Sequence, residues 1–389
     1  MAPAVLSRKW WRWTSVQILP VASGKGGVGK SLVAANLSIA LAQAGKRVVL
    51  ADLDLGASNL HLILGFSGGK HGLGTWLSGD RVPFAGLVHQ TDYENLRFIP
   101  GDSEIPGLAN ITYRQKTQLA RNLLTVEDAD YLVLDLGAGT GANILDFFLL
   151  SGRGLVVTTP ALTATLNAYL FLKNAVFRLM WDSFKPKSRA RALMESLKKD
   201  GASLQRAYIP EILGRVAEAD PASRAAFDLR MSRFNPRLVM NMLEDPKDAD
   251  KAQKIRRSCR EYLGMDLEHL GVVYRDALQD IALGSRIPII RYKPQSVLAQ
   301  AMYRMADKLV SSEGDEDSFL DPEYLDDSYD AADAEAATDF DVKVDYVEEL
   351  LSSGTLTQGD LIESIRMQHY ELTQIRKENQ FLKIGRAHV

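Results

Sequence analysis

The chain has 389 residues, of which 46% are hydrophobic and 24% charged, with a mean hydropathy of −0.11; this balance excludes a fibrous or wholly disordered polymer and allows two or three domains. No uncharged run reaches the roughly 20 apolar residues of a membrane span and the first residues lack a signal-peptide core, so the expected location is the cytosol, while a single cysteine, Cys259, excludes an internal disulfide framework. The net charge of −3 conceals an acidic segment, Glu313 to Glu349, with 16 Asp or Glu against one Lys, so the rest of the chain carries +12 and suits an anionic partner.

Residues 1–14 are a basic, Trp-rich arm, with Arg8-Lys9-Trp10-Trp11-Arg12-Trp13 suited either to a membrane interface or to packing against the body or a partner. From 15 to 310, short β-rich runs alternate with helix-length segments, which predicts an α/β fold, a mostly parallel sheet flanked by helices. Strands are expected at 16–22, 47–53, 96–100, 131–136, 155–159, 238–242, 270–273 and 288–291, and helices at 30–44, 161–181, 248–263 and 295–310. Several of the strands are apolar almost throughout, as strands buried on both faces must be. Pro20 lacks a ladder donor and predicts a local irregularity in its strand.

Residues 181–236 interrupt the alternation with Lys185, Lys187, Arg189 and Arg191 and are expected to form a helical insertion, its basic face either solvated or touching nucleic acid. The Asp-rich composition from 311 to 346 predicts a disordered acidic linker. Residues 347–382 regain a period: Leu361, Ile365, Gln368, Leu372, Ile375, Asn379 and Leu382 alternate four and three apart, the seam of a C-terminal amphipathic helix or coiled coil with Asn379 setting register. The last residues, 383–389, match the in-frame translation of a sequencing-library adapter and are expected to be foreign to the protein.

The strongest motif is Gly24-Lys25-Gly26-Gly27-Val28-Gly29-Lys30-Ser31, between an expected strand and an expected helix. This is a phosphate loop in its proper context. Glycines let the backbone wrap the phosphates, so that N–H groups and the helix N-terminus face the negative charge. Lys30 brings a cation to the β and γ phosphates, and the Ser31 hydroxyl ligates Mg²⁺. Two acidic strand ends complete the set. Asp54 lies in Asp52-Leu53-Asp54-Leu55-Gly56-Ala57-Ser58-Asn59, at the carboxyl end of its strand, where open α/β sheets bind ligands. Asp135 follows the apolar run 131–134 and opens Asp135-Leu136-Gly137-Ala138-Gly139. His61, His71 and His89 show no metal-ligand spacing and are read as surface or core residues.

The second lysine of the loop, Lys25, narrows the choice: Lys-Gly-Gly-Val-Gly-Lys-Ser resembles the deviant phosphate loop of the MinD and ParA class of ATPases. The resemblance covers about residues 16–310 and implies ATP and Mg²⁺ as cofactors and an ATP-bridged homodimer. By it, Lys25 acts in the partner subunit's site on charge developing at the phosphates, beside Lys30 in its own. Asp54 orients the attacking water or the magnesium shell, and Asp135 holds Mg²⁺ through water, so the implied metal set is Ser31, Asp54 and Asp135. Gly137 lets a backbone N–H sense the γ-phosphate, and Asn241 pairs with adenine, with residues 273–276 flanking the base.

The run from Asp135 to Gly139, with Asn143-Ile144-Leu145-Asp146-Phe147, Val157-Thr158-Thr159-Pro160, Thr163 and Ala168-Tyr169, resembles the FlhG (FleN) branch of flagellar-number regulators, and Gly137 stands where MinD has proline. Asn167 departs from the aspartate of many relatives, and the amino-terminal helix that FlhG uses on its GTPase partner FlhF is not evident. The implied function is a cytosolic, dimerising ATPase that works as a spatial switch in flagellar placement or number. Its implied partner is an FlhF-like GTPase or another flagellar or cell-pole component, with peripheral attachment to the inner face of the membrane left open. Two alternatives stand beside it: a ParA-like positioning ATPase with nonspecific DNA binding, and a noncatalytic nucleotide-bound scaffold. Iron–sulfur members of the class are disfavoured, because Cys259 alone cannot supply paired ligands.

Overall fold

The computed structural model describes residues 16–68, 71–79, 82–101, 111–199, 208–313 and 322–353, together with 359, 362 and 366. The basic arm, the seam residues from Leu361 to Leu382 and the last seven residues lie outside them. Two compact units are present, Met1–Ala337 and Thr338–Val389.

The first unit is built on eight strands: β1 (Gln17–Ser23), β2 (Val48–Leu53), β3 (His89–Gln90), β4 (Leu96–Ile99), β5 (Tyr131–Ala138), β6 (Leu155–Thr158), β7 (Arg237–Leu243) and β8 (Glu268–Tyr274). They run in the order β3-β4-β2-β5-β1-β6-β7-β8, all neighbours parallel except β3, which pairs antiparallel with β4. Parallel strands need crossovers, and the helices supply them. They are α1 (Lys30–Gln43), α2 (Leu60–Leu64), α3 (Leu73–Leu77), α4 (Tyr113–Leu123), α5 (Ala142–Phe148), α6 (Leu162–Ser183) and α7 (Arg189–Lys199), then α8 (Ile209–Ala219), α9 (Pro221–Met231) and α10 (Asp250–Ser258), and finally α11 (Leu278–Gly284), α12 (Ile289–Tyr292), α13 (Val297–Ser311) and α14 (Pro322–Ser352). Among the described residues, no helix is long and apolar enough to cross a membrane.

Alternate residues of the central strands join the core under α1 and α13: Leu19, Val21, Tyr131 and Val133 share one cluster with Leu37, Leu41, Met302 and Met305. Leu132 and Leu134, pointing the other way along the pleat, are also buried, so the sheet is covered on both faces. That is why the strands read as continuous apolar runs. Pro20 keeps its register opposite Leu134, while pairing with β6 begins only at Val21 and a bulge falls between Val21 and Ser23. The irregularity expected from the proline thus lies just beyond it.

Three expectations need correction. Residues 288–291 are no strand: Ile289–Tyr292 is a short helix with Pro288 at its N-cap, and the Asn36 side chain accepts from Ile290 N at 3.2 Å. Its apolar pair, Ile289 and Ile290, is buried beside α1 rather than in the sheet. The expected set of elements is also incomplete, since α2 to α5, α11 and the edge strand β3 lie outside it; β3 is two residues long and carries no periodic signal.

The third correction concerns the acidic segment, which from Pro322 onward is helix rather than disordered linker. Leu325, Tyr329, Ala332 and Ala336 are buried at helical spacing, and the helix lies along β8, the sheet edge. His269 N donates to Ser328 Oγ at 3.2 Å and Tyr274 Oη to the Ala336 carbonyl at 2.8 Å. Asp326 meets Arg256 at 2.7 Å and Glu335 meets Lys308 at 2.7 Å. A block of like charge favours disorder only when nothing neutralises it; here the basic body does. In the second unit, residues 338–352 are helical, with Val342, Val344, Tyr346 and Val347 exposed.

The described part of the insertion at 181–236 is helical, in α7, α8 and α9. Its basic residues divide. Lys185, Lys187 and Arg189 are exposed, whereas the Arg191 guanidinium lies 3.2 Å from the Trp181 ring centroid, a cation–π contact that holds α7 to α6.

Candidate phosphate-binding site

The site forms where β1, β5 and β2 end side by side. Register places Asp135 between Val21 of β1 and Asp52 of β2, so the loop after β1 and both acidic strand ends converge at one edge of the sheet. The loop runs from Gly24 into α1. Gly27 and Gly29 hold φ of 78° and 81°, left-handed values that favour glycine. Gly24 is required for a different reason: a Cβ there would sit 2.0 Å from the Asn167 carbonyl oxygen, so the loop's first residue packs directly on the backbone of α6.

Lys30 and Asp135 meet inside this cradle. Lys30 Nζ is 2.5 Å from Asp135 Oδ1 and 3.2 Å from Ser31 Oγ. Burial raises the Asp135 pKa, opposed by the Lys30 charge and by hydrogen bonds from Lys30 and Ser31. Asp54 is half-buried and its carboxylate faces Gly137, where an added Cβ would lie 3.3 Å from Asp54 Oδ1. Ser31 bonds to Asp135 and the Asp54 charge acts on it, so the three groups lie together at the end of the loop. Among the described residues there is no cluster of three or more His, Cys, Asp or Glu able to hold a metal. A divalent cation here would rest on the Ser31 hydroxyl, the carboxylates and phosphate oxygens, the sparse protein shell that suits Mg²⁺. The glycine cradle, the buried lysine and this oxygen set fit a magnesium-bound nucleotide.

The remaining expected residues divide. Lys25 is exposed, its Nζ 3.5 Å from Thr163 Oγ1 at the start of α6. Gly26 is exposed beside Ala138, Val28 is buried, and Gly139 N donates to the Ser23 carbonyl at 2.9 Å, tying the second acidic loop to β1. Asn241 is buried behind the loop, with Nδ2 donating to the Val28 carbonyl at 2.8 Å. A Cβ on Gly29 would come within 2.2 Å of that nitrogen. The structure thus gives Asn241 a part in shaping the phosphate loop, which the sequence reading had not assigned.

Two further groups were missed. Asp52 is fully buried and bonded to Ser58 Oγ at 2.6 Å. Burial, then the neighbouring Asp135 charge, push its pKa up to about 7. The signal was present, since residues two apart on a strand share a face. Asp146 of α5 pairs with Lys116 of α4 and, at 2.6 Å, with Arg178 of α6, fixing the helix that follows Gly137. No spacing announces that triad, whose members are far apart in sequence.

Fold and cradle together define a P-loop nucleotide-binding protein. Residues 15–173 match the ParA family profile, described as NUBPL iron-transfer P-loop NTPase. The flagellum site-determining protein YlxH of Helicobacter pylori is 30% identical over 264 residues, 61% of this chain and 88% of that protein. The antiactivator FleN of Pseudomonas aeruginosa is 32% identical over 159 residues, and the septum site-determining protein MinD of Thermotoga maritima 34% over 152. These two matches take in 41% and 39% of this chain and span only about half of each relative, 56% and 55%. The structure of MinD from Pyrococcus horikoshii with Mg-ADP superposes with a TM-score of 0.53 at 22% identity, over 77% of this chain and 98% of that one. The chain belongs to the MinD/ParA family of P-loop NTPases, on its FlhG/MinD side.

Proposed function

We propose that the protein is a Mg-ATP-dependent ATPase that dimerises around nucleotide and acts as a switch in placing, or limiting the number of, flagella. The relatives named for flagellar site determination and anti-activation support the biological side. The observation that supports the mechanism is the different setting of two lysines of one loop. Lys30 is buried on Asp135 inside the cradle, whereas Lys25 is exposed, its Nζ beside Thr163 Oγ1 on α6 rather than in the cradle. An exposed cation on the rim of its own loop is available to another site.

In this reading the Gly24–Ser31 loop and the α1 N-terminus bind the phosphates, and Lys30 leaves Asp135 for the β and γ oxygens. Ser31 and Asp135 would hold Mg²⁺, which would neutralise phosphate charge. Asp54 orients the attacking water, and Lys25 of one protomer stabilises charge in its partner's site. The base lies toward Asn241. Differential affinity of a flagellar or cell-pole partner for the dimer, rather than fast turnover, is the output. Iron transfer is no part of the reading, because the single cysteine, Cys259, is fully buried and burial raises its pKa.

Light scattering of the protein without nucleotide, with ADP and with Mg-ATP tests this directly. Asp54→Ala should hold an ATP-dependent dimer and Lys25→Ala should lose it. A mass that ignores nucleotide while ATP still binds would refute the dimer switch and favour a scaffold.

A further inference from the structure

The segment joining β2 to α2 is organised around one buried carboxylate. Asp52 at the end of β2 is fully buried, and burying a carboxylate is unfavourable unless its oxygens are satisfied. Its oxygens reach three groups of the loop that follows. Oδ1 accepts from Asp54 N at 3.1 Å, while Oδ2 accepts from Ser58 Oγ at 2.6 Å and from Leu60 N at 3.3 Å. One side chain therefore ties down both ends of the loop. Between those ends the chain turns, with Ala57 N donating to the Asp54 carbonyl at 3.1 Å.

The clamp has a fitted floor. A Cβ on Gly101, just past β4, would fall 2.8 Å from Ser58 Oγ and 3.0 Å from the Asp52 carbonyl oxygen, so the neighbouring chain admits only glycine there without a shift. What the clamp presents is Asp54, whose carboxylate lies against Gly137. Asp52 itself stands opposite Asp135 in the sheet.

We propose that Asp52 and Ser58 form a latch that sets Asp54 against Gly137. Asp52 is then a positioning residue, acting on hydrolysis through Asp54 and not by touching nucleotide. The catalytic consequence rests on the ATPase reading above; the latch itself does not. It follows that opening the latch impairs turnover while sparing nucleotide affinity, since the phosphate cradle is built from another loop.

The test uses the full chain with Ser58→Ala, which removes the donor and leaves the acid in place, and Asp52→Asn as a second variant. Three quantities are measured: amide hydrogen exchange across residues 54–60, affinity for fluorescent ADP, and steady-state phosphate release. Ser58→Ala should speed exchange at Asp54 and Leu60 about tenfold, as expected for the loss of one buried hydrogen bond. It should lower kcat about tenfold and change ADP affinity by less than about twofold. Exchange at the wild-type rate overturns the latch, and so does faster exchange with unchanged kcat. A parallel loss of ADP affinity overturns it as well, by showing a general structural defect. A wild-type protein that binds ADP but releases no phosphate defeats the ATPase reading instead, and the exchange measurement then decides the latch alone.

Discussion

Lys30 Nζ stands 2.5 Å from Asp135 Oδ1, with side chains 7% and 1% exposed, so the two charges that the proposed function gives to phosphate and magnesium neutralise each other. Each group satisfies the other's buried charge, and nucleotide with its metal would replace both partnerships at once. Removing one member leaves an uncompensated charge, a change that typically costs about 3–5 kcal/mol. Lys30→Ala should therefore lower the nucleotide-free stability by about 3 kcal/mol, whereas Lys30→Met combined with Asp135→Leu should recover most of it without restoring nucleotide affinity. Urea unfolding of the three proteins checks this; an unchanged midpoint for Lys30→Ala would show that the pair contributes nothing.

Gly24 and Gly26 share a motif but not a reason. A Cβ at Gly24 would lie 2.0 Å from a backbone oxygen of α6, while at Gly26 the nearest atom is Ala138 Cβ at 4.0 Å. Overpacking against backbone has no easy relief, so Gly24→Ala should cost about 2 kcal/mol in the absence of nucleotide. Gly26→Ala should stay within about 0.5 kcal/mol. Thermal melts without ligand compare them, and equal melting temperatures would contradict the close approach.

His269 makes stability fall in acid. Its ring is buried against Tyr329, centroids 5.1 Å apart, and among the described residues neither ring nitrogen has a hydrogen-bond partner. Burial, with the Lys308 charge adding to it, depresses its pKa to about 3. A histidine whose folded pKa lies below its unfolded value stabilises fully above about 6.5, and that contribution is lost as pH falls toward 3. Replacing it with leucine removes the proton. The stability of His269→Leu relative to wild type should rise by about 2 kcal/mol between pH 7 and pH 5. A pH-independent difference in denaturant unfolding would count against this account.

Truncation after Glu313 should destabilise the body, because the helix from Pro322 meets β8 through Ser328, Tyr329 and Ala336 and buries Leu325, Tyr329 and Ala336. Tyr329→Ala in the full chain isolates one contact of a side chain 1% exposed, and should cost about 3 kcal/mol. A truncated protein that melts with the full chain would return this segment to the status of a linker.

The sequence by itself determined what is local and covalent here. Glycines at 24, 26, 27 and 29 beside two lysines declare a phosphate loop, because a tight turn and a phosphate cradle need those residue types in that order. Apolar runs declare buried parallel strands, and Asp54 and Asp135 declare themselves by following such runs. What only the tertiary structure decided depends on residues distant in the chain. That Asn241 shapes the loop through Val28, 213 positions earlier, has no sequence signature. Nor has the Asp146 triad, or Asn36 capping the turn at Ile290 across 254 positions. The acidic segment shows why. Its composition favours disorder when judged alone, yet Arg256 and Lys308 of the body meet its carboxylates, and β8 offers its apolar face an edge to cover. Composition describes a segment in water, and folding supplies a different solvent.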